Sequence, residues 1–390
     1  MPSIVRPALV ALTGVLAAGC QLFPAQQAQD VPAPVQAVPR VVEHPTATHR
    51  FDFDPEHDTV VGQLQVTRTR ASDTLPDIAR RFNLGYEELV RANPGVDPWL
   101  PGEDTEIVLP TQFVLPDAPY AGVVINLAAM RLYYFPPRGE SDALQTVITH
   151  PIGIGKVGWE TPVGETKVKA KARDPWWYPP ASVRREHARN GDPLPAKVAP
   201  GVDNPLGAHV LTLGWPSYLI HGTNKPYGVG MRVSHGCIRL YPEDIAELYP
   251  ELPVGVEVRV VNEPFIYGWQ GDALYVQAYP VLEDDEREHA DGAGMLLNAA
   301  ISNELFQKVK QQGAGLDLEL VAALVDARQG IAVPVTRRGL TLERYLSTAP
   351  RVRNVLPEGS NWNGDERLLA NAREWEAMRA EDGDGAVRSP

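Results

Sequence analysis

Between residues 121 and 262 the chain is written in short apolar runs. Val123-Val-Ile-Asn-Leu127, Arg131-Leu-Tyr-Tyr-Phe135, Ala143 to Ile148, Val163 to Ala170, His209 to Leu213, Tyr218 to His221 and Val256 to Val261 are separated by turns rich in Pro and Gly. Runs of this length and spacing predict the strands of a mostly antiparallel sandwich or barrel. Pro242-Glu-Asp-Ile-Ala-Glu-Leu-Tyr249 departs from that pattern and predicts a helix, with Pro in its first turn and carboxylates near its N-terminus. The flanks read differently. Gln63 to Pro110 predicts a small α+β unit of order βααβ: a strand Leu64 to Thr67, helices near Leu75 to Phe82 and Tyr86 to Ala92, and a strand Glu106 to Leu109. Beyond Asn262, Leu274 to Val281 predicts one more strand, and Leu297, Ile301, Leu305 and Val309 recur at helical spacing within Met295 to Lys310, a stripe read as core packing.

The expected organisation is thus a mainly β catalytic domain at 121–262 with a short helix after the candidate nucleophile, a βααβ module at 63–110 and a partly helical C-terminal extension at 263–360. A tether rich in Pro, Ala and Gln at 21–62 precedes them, and an acidic, mobile tail at 361–390 follows. The segment Lys171 to Asn204, with Pro175-Trp-Trp-Tyr-Pro-Pro180, is too long for an ordinary connection and predicts a lid over a functional site.

Composition bounds the partners. The chain of 390 residues can hold two or three domains. Its net charge of −13 argues against nucleic acid and anionic lipid as electrostatic partners, although much of the acidity lies in Glu283 to Glu288 and in the tail, away from the candidate chemistry. Residues 1–20 read as an export signal: Arg6, an apolar run from Ala8 to Ala18, then Leu16-Ala-Ala-Gly-Cys20. They resemble a bacterial lipoprotein signal, which implies that Cys20 becomes the lipidated mature N-terminus. In that pattern Gln21 after the cysteine implies sorting to the outer membrane. No second long apolar segment appears, so membrane attachment is expected through the N-terminal lipid alone.

With Cys20 consumed in this way, Cys237 enters an oxidising compartment without a partner in its own chain. Such a thiol is easier to understand as a nucleophile than as packing. It lies in Arg232-Val-Ser-His-Gly-Cys-Ile-Arg239, just before the predicted helix and beside His235, a placement expected to lower its pKa. His235 stands two residues away and can share its side of an extended segment, whereas His221 must be brought in by tertiary structure. The residues alone leave both open as the base. A metal site built on His221, His235 and Cys237 lacks a clear fourth ligand, CxxC pairs and the HExxH pattern, and a His-Gly-Cys spacing is unusual for zinc.

The run from His221 through the glycine-rich turn to Ser234-His-Gly-Cys-Ile-Arg239 resembles the signature of YkuD-type L,D-transpeptidases, enzymes of bacterial peptidoglycan. The resemblance extends to Glu160-Thr-Pro-Val-Gly164, Trp177-Tyr-Pro-Pro180, Gly191-Asp-Pro-Leu-Pro195 and Asp203-Asn-Pro-Leu-Gly207. It implies a β-sandwich in which Cys237 is the nucleophile and His221 its general base, oriented by a backbone carbonyl near Gly222. Backbone amides from His235 through Gly236 to Cys237 would form the oxyanion hole, with Ser234 and Arg239 in support and neither metal nor cofactor. The implied substrate is a peptidoglycan tetrapeptide stem, losing D-alanine to a Cys237 thioester that an amine resolves. That amine is either a lysine of an outer-membrane lipoprotein or diaminopimelate of a second stem. Water in its place would make a carboxypeptidase, and an inert site would leave a peptidoglycan-binding lipoprotein. The βααβ unit, through Asp73-Thr-Leu, Ile78-Ala-Arg-Arg-Phe82 and Glu87-Glu-Leu-Val-Arg-Ala-Asn-Pro94, resembles a LysM module. This implies glycan binding, with Thr74 and Asn93 as the positions to test.

Overall fold

The structure is a computed structural model that describes residues 41–42, 49–139, 142–287, 315–337 and 339–355. The expected signal with Cys20, most of the tether, the helix at 295–310 and the acidic tail lie outside these residues. The described helices are α1 (Leu75–Arg81), α2 (Tyr86–Ala92), α3 (Ala181–Arg189), α4 (Pro242–Glu251), α5 (Leu318–Ala327) and α6 (Leu342–Leu346).

A nine-stranded sheet carries the catalytic region. Its strands run in the order Ile238–Arg239, Leu219–His221, His209–Leu213, Gly164–Arg173, Glu257–Val261, Gly122–Asn126, Arg131–Phe135, Gln145–Pro151 and Arg50–Phe53. Neighbours are antiparallel except that 219–221 runs parallel to 238–239 and 257–261 parallel to 122–126. The strand Gly164–Arg173 joins two halves, pairing with 257–260 through residues 164–167 and with 209–213 through residues 168–173. The register slips between Val168 and Ala170, and an extra residue of this kind bends a strand. One core accordingly holds Val123, Ile125 and Val258 of one half together with Leu211, Ile220 and Ile238 of the other, closed by Ile245 and Leu248 of α4. The expected sandwich is therefore one continuous sheet folded over its own core.

Arg131-Leu-Tyr-Tyr-Phe135 shows why this sheet lacks polar alternation. Successive side chains of a strand point to opposite faces. Leu132 and Tyr134 enter the core just described, while Tyr133 and Phe135 pack on Leu75, Ile78, Phe82, Leu89, Ile107 and Leu109 of the βααβ unit. The strand is covered on both sides, and each such fully buried side chain contributes about 1.5–3 kcal/mol.

The unit itself forms as its pattern predicts, with α1 and α2 between the antiparallel strands Gln65–Arg68 and Glu106–Leu109. Its boundaries are the correction. Residues 50–62, expected in the tether, include the sheet's edge strand Arg50–Phe53 and the strand Val60–Gly62, which pairs with Gln112–Val114. From the C-terminal side, the hairpin Phe265–Gln270 and Ala273–Ala278 packs with α5, so that Leu64, Val66 and Ala92 share a cluster with Val276, Leu324 and Val333. Arg351 then pairs in parallel with Val66. The unit is wedged between two neighbours, sharing its hydrophobic surface with both.

A buried ion pair sits at that junction. Arg131 is fully buried on the sheet, and its Nε and Nη2 donate to the two carboxylate oxygens of Glu88 on α2 at 2.9 Å each. Nη2 also donates to the Asn83 carbonyl at 2.9 Å. The next residues of the unit reach the catalytic turn: Tyr86 and Glu87 donate their N–H groups to the carbonyls of Val229 and Gly230 at 3.2 Å. Gly230 has φ +81°, and a Cβ there would stand 2.3 Å from the Tyr86 nitrogen, so only glycine permits this approach.

Candidate active site

Strand register brings the chemistry together. Ile220 lies opposite Ile238 and His221 opposite Arg239, and both isoleucines point into the core. Alternation then places Leu219, His221, Arg239 and the adjoining Cys237 on the other face. His221 was the histidine that needed tertiary structure, and a two-strand ladder supplies it.

His221 is 3% exposed, and its Nδ1 donates to the Gly222 carbonyl at 2.6 Å. That bond fixes the tautomer, leaving the Nε2 lone pair available as a base. Burial and the Arg239 guanidinium push its pKa down to about 3, opposed by the carbonyls of Gly222 and Leu206. His221 is therefore neutral over the physiological range.

Cys237 does not bear out the expected lowering of its pKa. Burial pushes the thiol up, against the opposing effects of the Leu219 N–H and Arg239. The reason is positional: Cys237 leads into the strand Ile238–Arg239, and α4 begins only at Pro242, so its first turn is not presented to the sulfur. The Sγ lies 3.6 Å from the carbonyl of Ser217, a residue held at φ +69°. The resting pair is thus a neutral thiol and a neutral imidazole.

The turn that presents Cys237 is held from several sides. Ser234 Oγ donates to the Cys237 carbonyl at 2.5 Å, and Thr161 Oγ1 donates to the Gly236 carbonyl at 2.9 Å. Gly236 has φ +95°, and a Cβ would come within 2.9 Å of the Tyr218 ring. The N–H groups of Gly236 and Cys237 donate to no described residue. His235 has a different setting from His221: its Nε2 lies 3.2 Å from Glu186 Oε2 on α3, and the Trp159 ring meets it edge-on at 4.8 Å. Lys156 Nζ holds the other Glu186 oxygen at 2.5 Å. Burial pushes the His235 pKa down, with Glu186 opposing.

Glu186 shows what became of the expected lid. The insert beyond Arg173 is tied across its base by backbone pairing of Trp177 with Val198 and by Asn204 Nδ2 donating to the Pro175 carbonyl at 2.7 Å. Within it α3 touches the nucleophile turn through Glu186. This helix gives little sign in the sequence, since Val183 is its one buried side chain. Thr161, by contrast, lay within the run Glu160-Thr-Pro-Val-Gly164, but nothing in the residues alone says that its hydroxyl locks Gly236.

Thr74 and Asn93 do not meet the expectation of a glycan-facing pair. Thr74 caps α1, its Oγ1 accepting from the Asp77 N–H while the Asp77 carboxylate accepts from the Thr74 N–H. Asn93 donates to the carbonyls of Leu89 and Val108 and accepts from the Val108 N–H at 2.7 Å. Both are buried, 4% and 6% exposed, with their polar atoms turned inward. Among the described residues no group of three or more His, Cys, Asp or Glu is placed to hold a metal ion.

A nucleophilic thiol, an imidazole oriented through its far nitrogen and two unpaired N–H groups on one turn are the parts of an acyl-transfer site. The family model described as YkuD, L,D-transpeptidase catalytic domain, matches residues 121–260. The Escherichia coli K12 protein named "Probable L,D-transpeptidase YcfS" is 38% identical over 299 residues, covering 75% of this chain and 90% of that protein. The chain belongs to the L,D-transpeptidase family. "Probable L,D-transpeptidase YbiS" of the same organism is 42% identical, covering 61% of this chain and 77% of that protein, and "Probable L,D-transpeptidase ErfK/SrfK" is 34% identical, covering 75% and 93%. At 299 residues, the match to the first of these proteins is longer than the 121–260 span of the catalytic-domain model. The protein is an enzyme of this type.

Proposed function

We propose that this L,D-transpeptidase acts on peptidoglycan tetrapeptide stems through a thioester on Cys237, with His221 as general base. The observation that carries the reading is the pairing of 219–221 with 238–239, which sets a neutral, Gly222-oriented imidazole on the same sheet face as the thiol. Because neither group is charged at rest, proton transfer accompanies attack. The sulfur bonds to the carbonyl carbon between diaminopimelate and D-alanine as its proton passes to His221 Nε2. The oxyanion is met by the N–H groups of Gly236 and Cys237, for which each well-placed donor contributes about 3 kcal/mol. The C–N bond then breaks, the imidazolium returns the proton to the leaving nitrogen, and D-alanine departs. An amine attacks the thioester by the reverse sequence and restores the thiol.

The acceptor is a lysine of an outer-membrane lipoprotein or the diaminopimelate of a second stem, with the Trp177-Tyr-Pro-Pro180 insert favouring the lipoprotein. The signal-like pattern of residues 1–20 supports a periplasmic setting for the reaction, with lipidated Cys20 anchoring the enzyme to the outer membrane. The βααβ unit is assigned to the LysM type on its element order and motifs. Thr74 and Asn93 hold its framework, so any glycan contact falls to other groups.

Mass analysis of products from disaccharide-tetrapeptide, with and without a lysine-ending peptide, tests the assignment. Loss of D-alanine with a peptide-linked or dimeric product is expected. Tripeptide alone in both arms would make the enzyme a carboxypeptidase, and unchanged substrate would overturn the reading.

A further inference from the structure

Arg239 is the group at this site whose charge is unanswered. It stands opposite His221 across the strand pair and two residues after Cys237, on the face that carries both. Its Nε is buried and has no hydrogen-bond partner among the described residues. The ionisable groups it senses most are Cys237 and Tyr227 rather than any carboxylate. The buried arginines Arg131 and Arg81 face carboxylates, Glu88 at 2.9 Å and Asp73 at 2.5 Å. A guanidinium held out of water without an anion is unfavourable, and a planar fork of donors is best matched by a carboxylate.

The donor brings such a group to this place. In a peptide cut before its last residue, the terminal carboxylate lies only three bonds from the scissile carbonyl carbon, so a cation beside the nucleophile is within its reach. We infer that Arg239 binds the free terminal carboxylate of the donor peptide and so restricts the enzyme to removing a single C-terminal residue. In this role Arg239 is a specificity-determining residue that takes no part in bond making. When a lysine side-chain amine arrives in the second step, the carboxylate has left with D-alanine and the guanidinium is again unpaired, whereas diaminopimelate, whose attacking amine shares its carbon with a carboxyl group, can pair it again. With a lysine acceptor, acylation is therefore the step it governs.

The inference rests on the donor reading given above, and its test separates the two. Acylation of the full-length enzyme is followed with a tetrapeptide donor ending in D-alanine and with the same peptide ending in D-alanine amide. The wild type is expected to lose roughly 10- to 100-fold in kcat/KM on the amide. Arg239→Gln should lose a similar factor on the carboxylate donor and gain no further loss on the amide. Arg239→Lys should restore part of the discrimination. Equal use of both donors by the wild type overturns the inference even if Arg239→Gln fails to fold. An equal slowing of both donors in Arg239→Gln also overturns it and assigns the arginine to the thiolate. Consumption of neither donor by the wild type overturns the donor reading itself.

Discussion

The nucleophile turn and the βααβ unit are both densely hydrogen-bonded, but they are assembled by opposite routes. From Leu219 to Leu240 the chain carries several of its own partners: His221 bonds its neighbour Gly222, Ser234 bonds Cys237, and the two strands that set the geometry, Leu219–His221 and Ile238–Arg239, lie within this same stretch. The unit from Gln65 to Leu109 instead relies on distant residues. Glu88 meets Arg131, Asn83 donates to Asp244 of α4 at 2.7 Å, Arg80 pairs with Glu243 at 2.7 Å, and Val66 lies beside Arg351. The reacting side chains of this site come from one stretch of chain, braced from outside by Thr161 and Glu186, whereas the unit beside it is held mainly by long-range contacts.

The sharpest way to break that contrast is at His221. His221→Gln keeps the ladder but removes the base, and acylation by the tetrapeptide donor should fall about 10²- to 10⁴-fold with little change in urea unfolding. A comparable loss of stability and activity would show that the histidine is framework. Glu88→Ala should do the reverse. It leaves Arg131 buried and uncompensated, costing about 3–5 kcal/mol in the urea midpoint analysis. A loss under 1 kcal/mol would mean that the unit is not held by this pair.

How much of this could be read from sequence follows the same division. The strands at 131–135 and 209–213 and helix α2 fall where the pattern put them, because each carries its own signal of length, apolar run and turn. The nucleophile and both histidines stood in one run. Missing from the reading were contacts between segments far apart: the edge strand Arg50–Phe53, the strand Phe265–Gln270 and the clasp from Glu186 to His235. Polar residues such as Arg50 and Asp52 alternate with only modest burial, and the strand forms because Gln145–Pro151 offers an edge. Thr74 was misjudged for a related reason, since a cap and a ligand-binding hydroxyl look alike until the N–H it accepts is known.

Protonation sharpens the comparison further. The Cys237 thiol is held above its ordinary value of 9 and His221 near 3, so neither changes charge between those limits. The rate of Cys237 alkylation by iodoacetamide should therefore rise only as pH passes above about 9. An apparent pKa between 5 and 7 would instead mean a resting thiolate–imidazolium pair. The smallest effect belongs to the unit's own framework. Thr74→Ala should lower stability by about 1 kcal/mol through loss of the α1 cap, with no change in retention on a peptidoglycan column. Selective loss of retention at unchanged stability would return Thr74 to a binding role.

The most direct measurement is the intact mass of the enzyme, quenched in acid soon after mixing with disaccharide-tetrapeptide in the absence of an amine. The account predicts a species heavier by the donor less D-alanine, mapped to Cys237, cleared by hydroxylamine and absent from Cys237→Ala. Donor consumption without such an adduct, or an adduct that persists in Cys237→Ala, would contradict it.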